Sequence, residues 1–445
     1  MVDIFFIFDK VFNMNAKNFP IHTLKRSELV KIFKNFGANP LETLLNLKKI
    51  YGDFIYCPFP VKTLIVFNPE VLKELFNDKY NIEKGSQTGK LKALIGNGLF
   101  TSEGKIWREQ RRMLSPMFHN KNLQNFELII KNATNAHLKN WKSNETINIT
   151  QEITELVFNI SGEILFGGNL DVDLNQLRQA VEETSKIMFN KISEIIPVPY
   201  WVPTKENKNF SKAKKTIVSI SDKLIKNAKN TNNSETKDLL SLMLNAGITN
   251  SKDLRDQVIT MMIAGHDATS TFIIWTLILI LSDLELCSKL KNKFKLDEKF
   301  HESETFKNLL NESLRLFPPS PIISRKNINE IILGGQKISK GTNIITSQFV
   351  LGREEKIWNN GNAFVFNRFN NIDLQNDLYR YSFFPFSLGV RRCVGESLAY
   401  LEASIIISEI LKKFDFLPLN SEDFNKEIYC DLILRPKNDF LCKIV

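Results

Sequence analysis

Residues 258–281 read VITMMIAGHDATSTFIIWTLILIL, apolar except for a break at Gly265, His266 and Asp267. Together with the upstream SKDLRDQ, the pattern predicts one helix from Ser251, its expected cap, to about Ser282, with Asp253 in the first turn. At roughly 1.5 Å per residue this helix is about 45 Å long, enough to cross a whole domain. Residues 272–281 are apolar on nearly every side, Thr276 excepted, which places this end inside a core. A membrane-spanning reading is weaker, because Gly265, His266 and Asp267 interrupt the run. Charge in such surroundings costs free energy unless it is paired or hydrated, so Asp267 needs a reason.

The remaining pattern is mostly α with a small β-rich portion. Residues 53–69 predict two short strands around Pro58 and Pro60, and Glu103 to about residue 290 is almost all helical. Two breaks interrupt it: a proline-rich loop at 195–210 displaying Tyr200 and Trp201, and a polar loop at 227–238. Residues 330–347 read as strand, Gly-Gly turn, strand, turn, strand. A helix follows from about Val394 to Phe414, then a terminal hairpin over 430–445. No linker stands out in the 445 residues, so a single domain over 1–445 is expected, with 1–45 a segment of uncertain role.

The balance of 59 basic against 49 acidic residues suits an acidic partner or an anionic cofactor, and no dense basic run with interleaved aromatics points to nucleic acid. Five cysteines match no zinc spacing and no CxxC pair, which suggests a reducing compartment without disulfides. The run Ile4–Phe8 is too short to span a bilayer and lacks the flanks of a signal peptide. A soluble cytoplasmic chain is expected, with peripheral membrane contact through this end left open.

The segment FSLGVRRCVG (386–395) is the most informative. It is a glycine-punctuated loop that delivers Cys393 directly ahead of a helix, whose positive end favours thiolate. Gly389 supplies a tight turn, and Gly395 lets a flat partner approach the backbone. Phe386, Gly389, Arg391, Cys393 and Gly395 fit F-x-x-G-x-R-x-C-x-G, and the loop resembles the haem signature of the cytochrome P450 family, in its soluble bacterial-type members. The resemblance implies the fold of that family, a long central helix over haem b with the cysteine loop beneath. It makes Cys393 the axial ligand of the haem iron, a thiolate that promotes O–O cleavage. It sets Phe386 beside the sulfur and Arg391 on a haem propionate.

Other segments extend the resemblance from about residue 50 to the C-terminus. ETFKNLLNESLRLFPP carries Glu312 and Arg315 three apart on a helix in an apolar setting, like the family's E-x-x-R. The third member implied is Arg368 in FVFNRF, where Phe366 replaces the usual proline. The triad's implied role is structural, holding the segment that leads to Cys393. Trp107 and Arg111 lie one helical turn apart on a shared face, and the resemblance turns them, with Arg325, toward the propionates.

The central helix is similar to the family's A/G-G-x-D/E-T-T/S at Ala264, Gly265, His266 and Asp267, with Ala268 at the first alcohol position and Thr269 after it. The resemblance implies an oxygen groove at Ala264 and Gly265, with Asp267 as acid and organiser of water. Thr269 either bonds the carbonyl of Gly265 or reaches the groove through a bulge. His266 is expected to bond locally.

The implied activity is hydroxylation: one oxygen atom of O2 enters a lipophilic small molecule, and a separate ferredoxin, flavodoxin or reductase supplies electrons. Arg111, Arg112, Arg391, Arg392, Lys412 and Lys413 are candidates for docking an acidic redox partner. A haem-thiolate isomerase, dehydratase or peroxygenase is the alternative that Ala268 keeps open. A non-catalytic haem sensor is a second.

Overall fold

A computed structural model describes residues 18–78, 81–167, 172–193, 198–231, 238–420 and 428–445. The apolar run Ile4–Phe8, and with it the expected peripheral contact, lies outside them. So do parts of the two expected loops.

The chain folds into two compact units woven from discontinuous segments. The first takes residues up to Ser86 with Ile322–Gly361 and Asp373–Arg392. Its centre is a six-stranded sheet in the order His22–Thr23, Phe54–Cys57, Thr63–Val66, Asn343–Ser347, Ile322–Asn327, Ile82–Lys84. The two strands flanking Pro58 and Pro60 pair antiparallel, Phe54 opposite Val66. The expected Gly-Gly hairpin forms between Ile331–Leu333 and Gln336–Ile338. Leu64, Val66, Leu72 and Ile344 close the core beneath the sheet, each almost wholly buried.

The second unit takes Gln87–Pro321, Asn362–Ile372 and Cys393–Val445. Its axis is the helix Ser251–Leu281. The cap is Asn250, one residue earlier than expected. Its side chain accepts from the amides of Lys252 at 2.9 Å and Asp253 at 3.2 Å, and a carboxamide reaches these orphan donors without competing for its own helix. Every residue from Thr269 to Leu281 is buried. The helix is long and apolar enough to cross a membrane, but 72% of its most apolar window is buried within the fold. The polar exceptions are satisfied: Thr276 Oγ1 lies 2.8 Å from the Phe272 carbonyl and from Ser313 Oγ. Trp275 stacks on Phe317 at 3.9 Å and donates to the Leu434 carbonyl at 2.8 Å.

Three expectations about loops and turns change. The helix Lys205–Thr231 runs through the start of the expected 227–238 loop. Trp201 is 82% exposed, but Tyr200 packs on Phe210 at 4.5 Å. The C-terminal residues do not form one hairpin. Leu434–Pro436 pairs with Ile428–Cys430, whereas Leu441–Ile444 lies between Phe416–Pro418 and Thr146–Asn148. The cause is Cys442 and Ile444, both buried: a strand between two partners satisfies the backbone on both edges, which a hairpin cannot.

Candidate active site

Cys393 stands two residues ahead of the cap of helix Glu396–Lys413 and is exposed. A side chain at Gly395 would meet nothing nearer than Cys393 Sγ, at 4.0 Å. In the same unit, helix Gly104–Leu114 presents Trp107, Gln110, Arg111 and Leu114 on its inner face. Burial lowers the pKa of Arg111, and the charge of Cys393 opposes that shift. The sulfur and the guanidinium therefore sense each other.

The central helix opens at its middle. Ala264 and Gly265 are exposed although Val258–Thr260 and Thr269–Leu281 are buried. A Cβ at Gly265 would meet nothing within 4 Å. The helix is regular α throughout, so no bulge brings Thr269 forward. Thr269 Oγ1 donates to the Gly265 carbonyl at 2.9 Å. His266 is buried, with Nδ1 2.7 Å from the Met262 carbonyl and its ring edge-on to Phe158.

Asp267 is held by a residue that the sequence pattern did not single out. Arg435 Nη2 donates to Asp267 Oδ2 at 2.8 Å, and Arg435 Nε lies 3.7 Å from Asp431. Burial pushes the Asp267 carboxyl up, but His266 and Arg435 outweigh it and keep the acid below its ordinary value. Burial raises Asp431, the second acid near the same guanidinium.

The first unit carries the other candidates. Gly389 has φ +67°, and a Cβ there would stand 2.2 Å from the Phe76 carbonyl, so only glycine fits. Ser387 also adopts positive φ, 62°, an uncommon conformation for a residue with a side chain. Its hydroxyl accepts from Arg325 Nη2 at 2.8 Å. Arg325 is buried on strand Ile322–Asn327, donates to the Ser324 carbonyl at 3.0 Å and lies over the Phe76 ring at 5.6 Å. Burial depresses its pKa to about 10. Arg391 is likewise pushed down to about 10 by burial, against the pull of Glu83. Phe386 is half-buried in the same loop.

The structural triad closes within the second unit. Arg315 Nε and Arg368 Nε reach the Glu312 carboxylate at 2.7 and 2.9 Å. Glu312 also accepts from the Val365 amide at 2.9 Å. The turn therefore forms without the family's proline, and Lys289 sits over the Phe366 ring at 5.4 Å.

Each unit carries residues that suit a haem. Cys393 is an accessible soft donor. Arg325 is a buried cation whose hydrogen-bond partners among the described residues are uncharged, a setting that calls for an anion. Residues 25–443 match the family model described as Cytochrome P450.

The chain belongs to the cytochrome P450 family.

It shares 27% identity over 413 residues with cytochrome P450 734A1 of Arabidopsis thaliana, covering 86% of this chain and 79% of that protein. It shares 28% over 430 residues with human cytochrome P450 4V2, covering 86% and 80%. With the cyclooctat-9-en-7-ol 5-monooxygenase of Streptomyces melanosporofaciens it shares 24% over 397 residues, covering 85% and 86%. P450 enzymes are haem-thiolate monooxygenases, oxidoreductases that incorporate oxygen from O2, and they bind haem b through a cysteine thiolate. The cofactor of this chain is accordingly haem b.

Proposed function

We propose that this P450 hydroxylates a lipophilic small molecule, drawing electrons from a separate redox protein. The observation that carries the reading is the exposed Ala264–Gly265 step between two buried stretches of the central helix, Val258–Thr260 and Thr269–Leu281. Met261 and Ile263, both partly exposed, flank it with apolar surface. The name of the Streptomyces relative supports a small organic substrate.

Bound haem would supply O2 activation, with Cys393 as its thiolate ligand. Arg111, Arg325 and Arg391 would neutralise its carboxylates, and Trp107 would lie on the same helix face as Arg111. Phe386 would shield the sulfur. Gly265 keeps the helix face low enough for a small molecule to lie against the backbone. Asp267 is the acid nearest this step in sequence, and its ion pair with Arg435 holds it ionised. Ordered water would pass protons by way of this carboxylate, which takes up a proton and hands it on, in place of the hydroxyl missing at Ala268. Thr269 contributes local helix structure, because its hydroxyl is spent on the Gly265 carbonyl.

The test supplies the holoenzyme with a reductase and nicotinamide cofactor, and in parallel with peroxide alone, across fatty acids, terpenes and sterols. Product only with the reductase supports the proposal. A second reading, oxygen transfer from peroxide, is favoured by one observation: Asp267 is engaged by Arg435. Product from peroxide alone would select it. Asp267→Asn is expected to lower single-turnover product yield with O2 by about tenfold, within the usual range for general acid–base catalysis. An unchanged yield would remove Asp267 from the relay.

A further inference from the structure

The loop from Gly96 to Ser102 is braced between two helices by side chains that the activity above does not use. On the central helix, Asp256 Oδ2 accepts from the Asn97 amide at 2.8 Å, and Gln257 Oε1 accepts from the Leu99 amide at 2.9 Å. On helix Gly104–Leu114, Gln110 Nε2 donates to the Asn97 carbonyl at 2.8 Å, and its Oε1 accepts from Ser102 Oγ at 2.6 Å. All four side chains are buried. Asn97 is thus gripped on its N–H by one helix and on its C=O by the other.

Shape reinforces the brace. A Cβ at Gly96 would stand 2.2 Å from the Asp256 carboxylate, and one at Gly98 would stand 2.1 Å from Thr260 Oγ1. The loop lies against the helix at a distance only glycine permits. Asp256, Thr260, Ala264 and Asp267 share one helix face, since steps of four, four and three residues each return near the same side. Gln110 sits on the inner face beside Trp107 and Arg111.

We propose that Asp256 and Gln110 are positioning residues that act through this loop: they fix helix Gly104–Leu114 to the central helix and so hold Arg111 in register for the haem carboxylates. This rests on the reading of Arg111 as a cofactor-binding cation. A carboxylate serves here because a charged acceptor binds a backbone amide about twice as strongly as a neutral one.

The holoenzyme tests it with two readouts, hydrogen–deuterium exchange of the peptide covering 96–102 and the rate of haem transfer to an excess of apomyoglobin. Asp256→Ala and Gln110→Leu should each accelerate both by about tenfold, the effect of about 1.4 kcal/mol. Asp256→Asn retains a neutral oxygen acceptor about half as strong and should accelerate both by only about threefold. Gln110→Leu decides the matter if Asp256→Ala fails to fold. Faster exchange with parental haem transfer in both variants would overturn the proposal. Arg111→Ala separates it from the reading beneath. Rapid haem loss in Arg111→Ala, with parental rates in the brace variants, sinks the brace alone. A parental rate in Arg111→Ala itself sinks the assignment of Arg111 and the brace with it.

Discussion

Buried arginines in this protein are handled in two opposite ways. Arg315 and Arg368 converge on Glu312, which also takes the Val365 amide, so both guanidinium groups are hydrogen-bonded to a carboxylate within the fold. Among the described residues, Arg325 has a carbonyl, a hydroxyl and an aromatic face, none of them anionic, and burial drives its pKa down to about 10. The first arrangement is complete as protein. The second is arranged for a partner carrying negative charge. A buried cation with uncharged partners costs free energy, so Arg325 trades stability of the chain alone for affinity toward an anionic group.

The largest effect that would break the contrast is at the sulfur. Cys393→Ala should abolish the thiolate signature of the reduced-CO difference spectrum entirely, while the triad keeps the chain folded by circular dichroism. Next is the triad itself. Glu312→Gln leaves two buried guanidinium groups facing a neutral amide, and urea unfolding should show a loss of about 3–5 kcal/mol.

Glu402 sharpens the contrast from the acid side. It is buried, Oε2 has no hydrogen-bond partner among the described residues, and burial lifts its pKa to about 8. Its folded pKa is raised, so it takes no stability below the ordinary value of 4.5, takes progressively more as pH climbs to about 8, and a constant amount above. Glu402→Gln should flatten this slope and gain on the order of 2–3 kcal/mol at pH 7, read from denaturation at several pH values.

Arg325→Leu should reverse sign with the cofactor. The haem-free chain gains about 1 kcal/mol of stability and the holoenzyme loses haem about tenfold faster, whereas an internally satisfied arginine would destabilise both forms when removed. The smallest effect is at Thr269→Val. Its hydroxyl serves only the helix backbone, so stability should change by less than about 0.5 kcal/mol and turnover by less than about twofold.

Much of this was legible along the chain because it is local. The central helix is written in a long apolar run, and the cysteine loop in glycines whose spacing forces its path. The pairing of Glu312 with Arg315 is set by helical spacing. What the sequence leaves unmarked depends on residues far apart along the chain. Arg435 sits in LRPK, with nothing beside it to indicate Asp267. Asp256 and Gln257 did leave a trace, polar side chains entering an apolar run, but their partners are backbone amides, which carry no sequence signal. The sequence marks Leu441–Ile444 as a strand but not its partners, since alternation reveals a buried face and not the neighbours across it.

The grip of Trp275 on the Leu434 carbonyl and of Arg435 on Asp267 has a consequence for synthesis. The central helix leaves the ribosome well before the residues that complete it. Until Leu434 and Arg435 emerge, Asp267 lacks this arginine and Trp275 lacks this acceptor. The middle of the central helix is therefore completed only by residues that follow it by 159 and 168 positions along the chain.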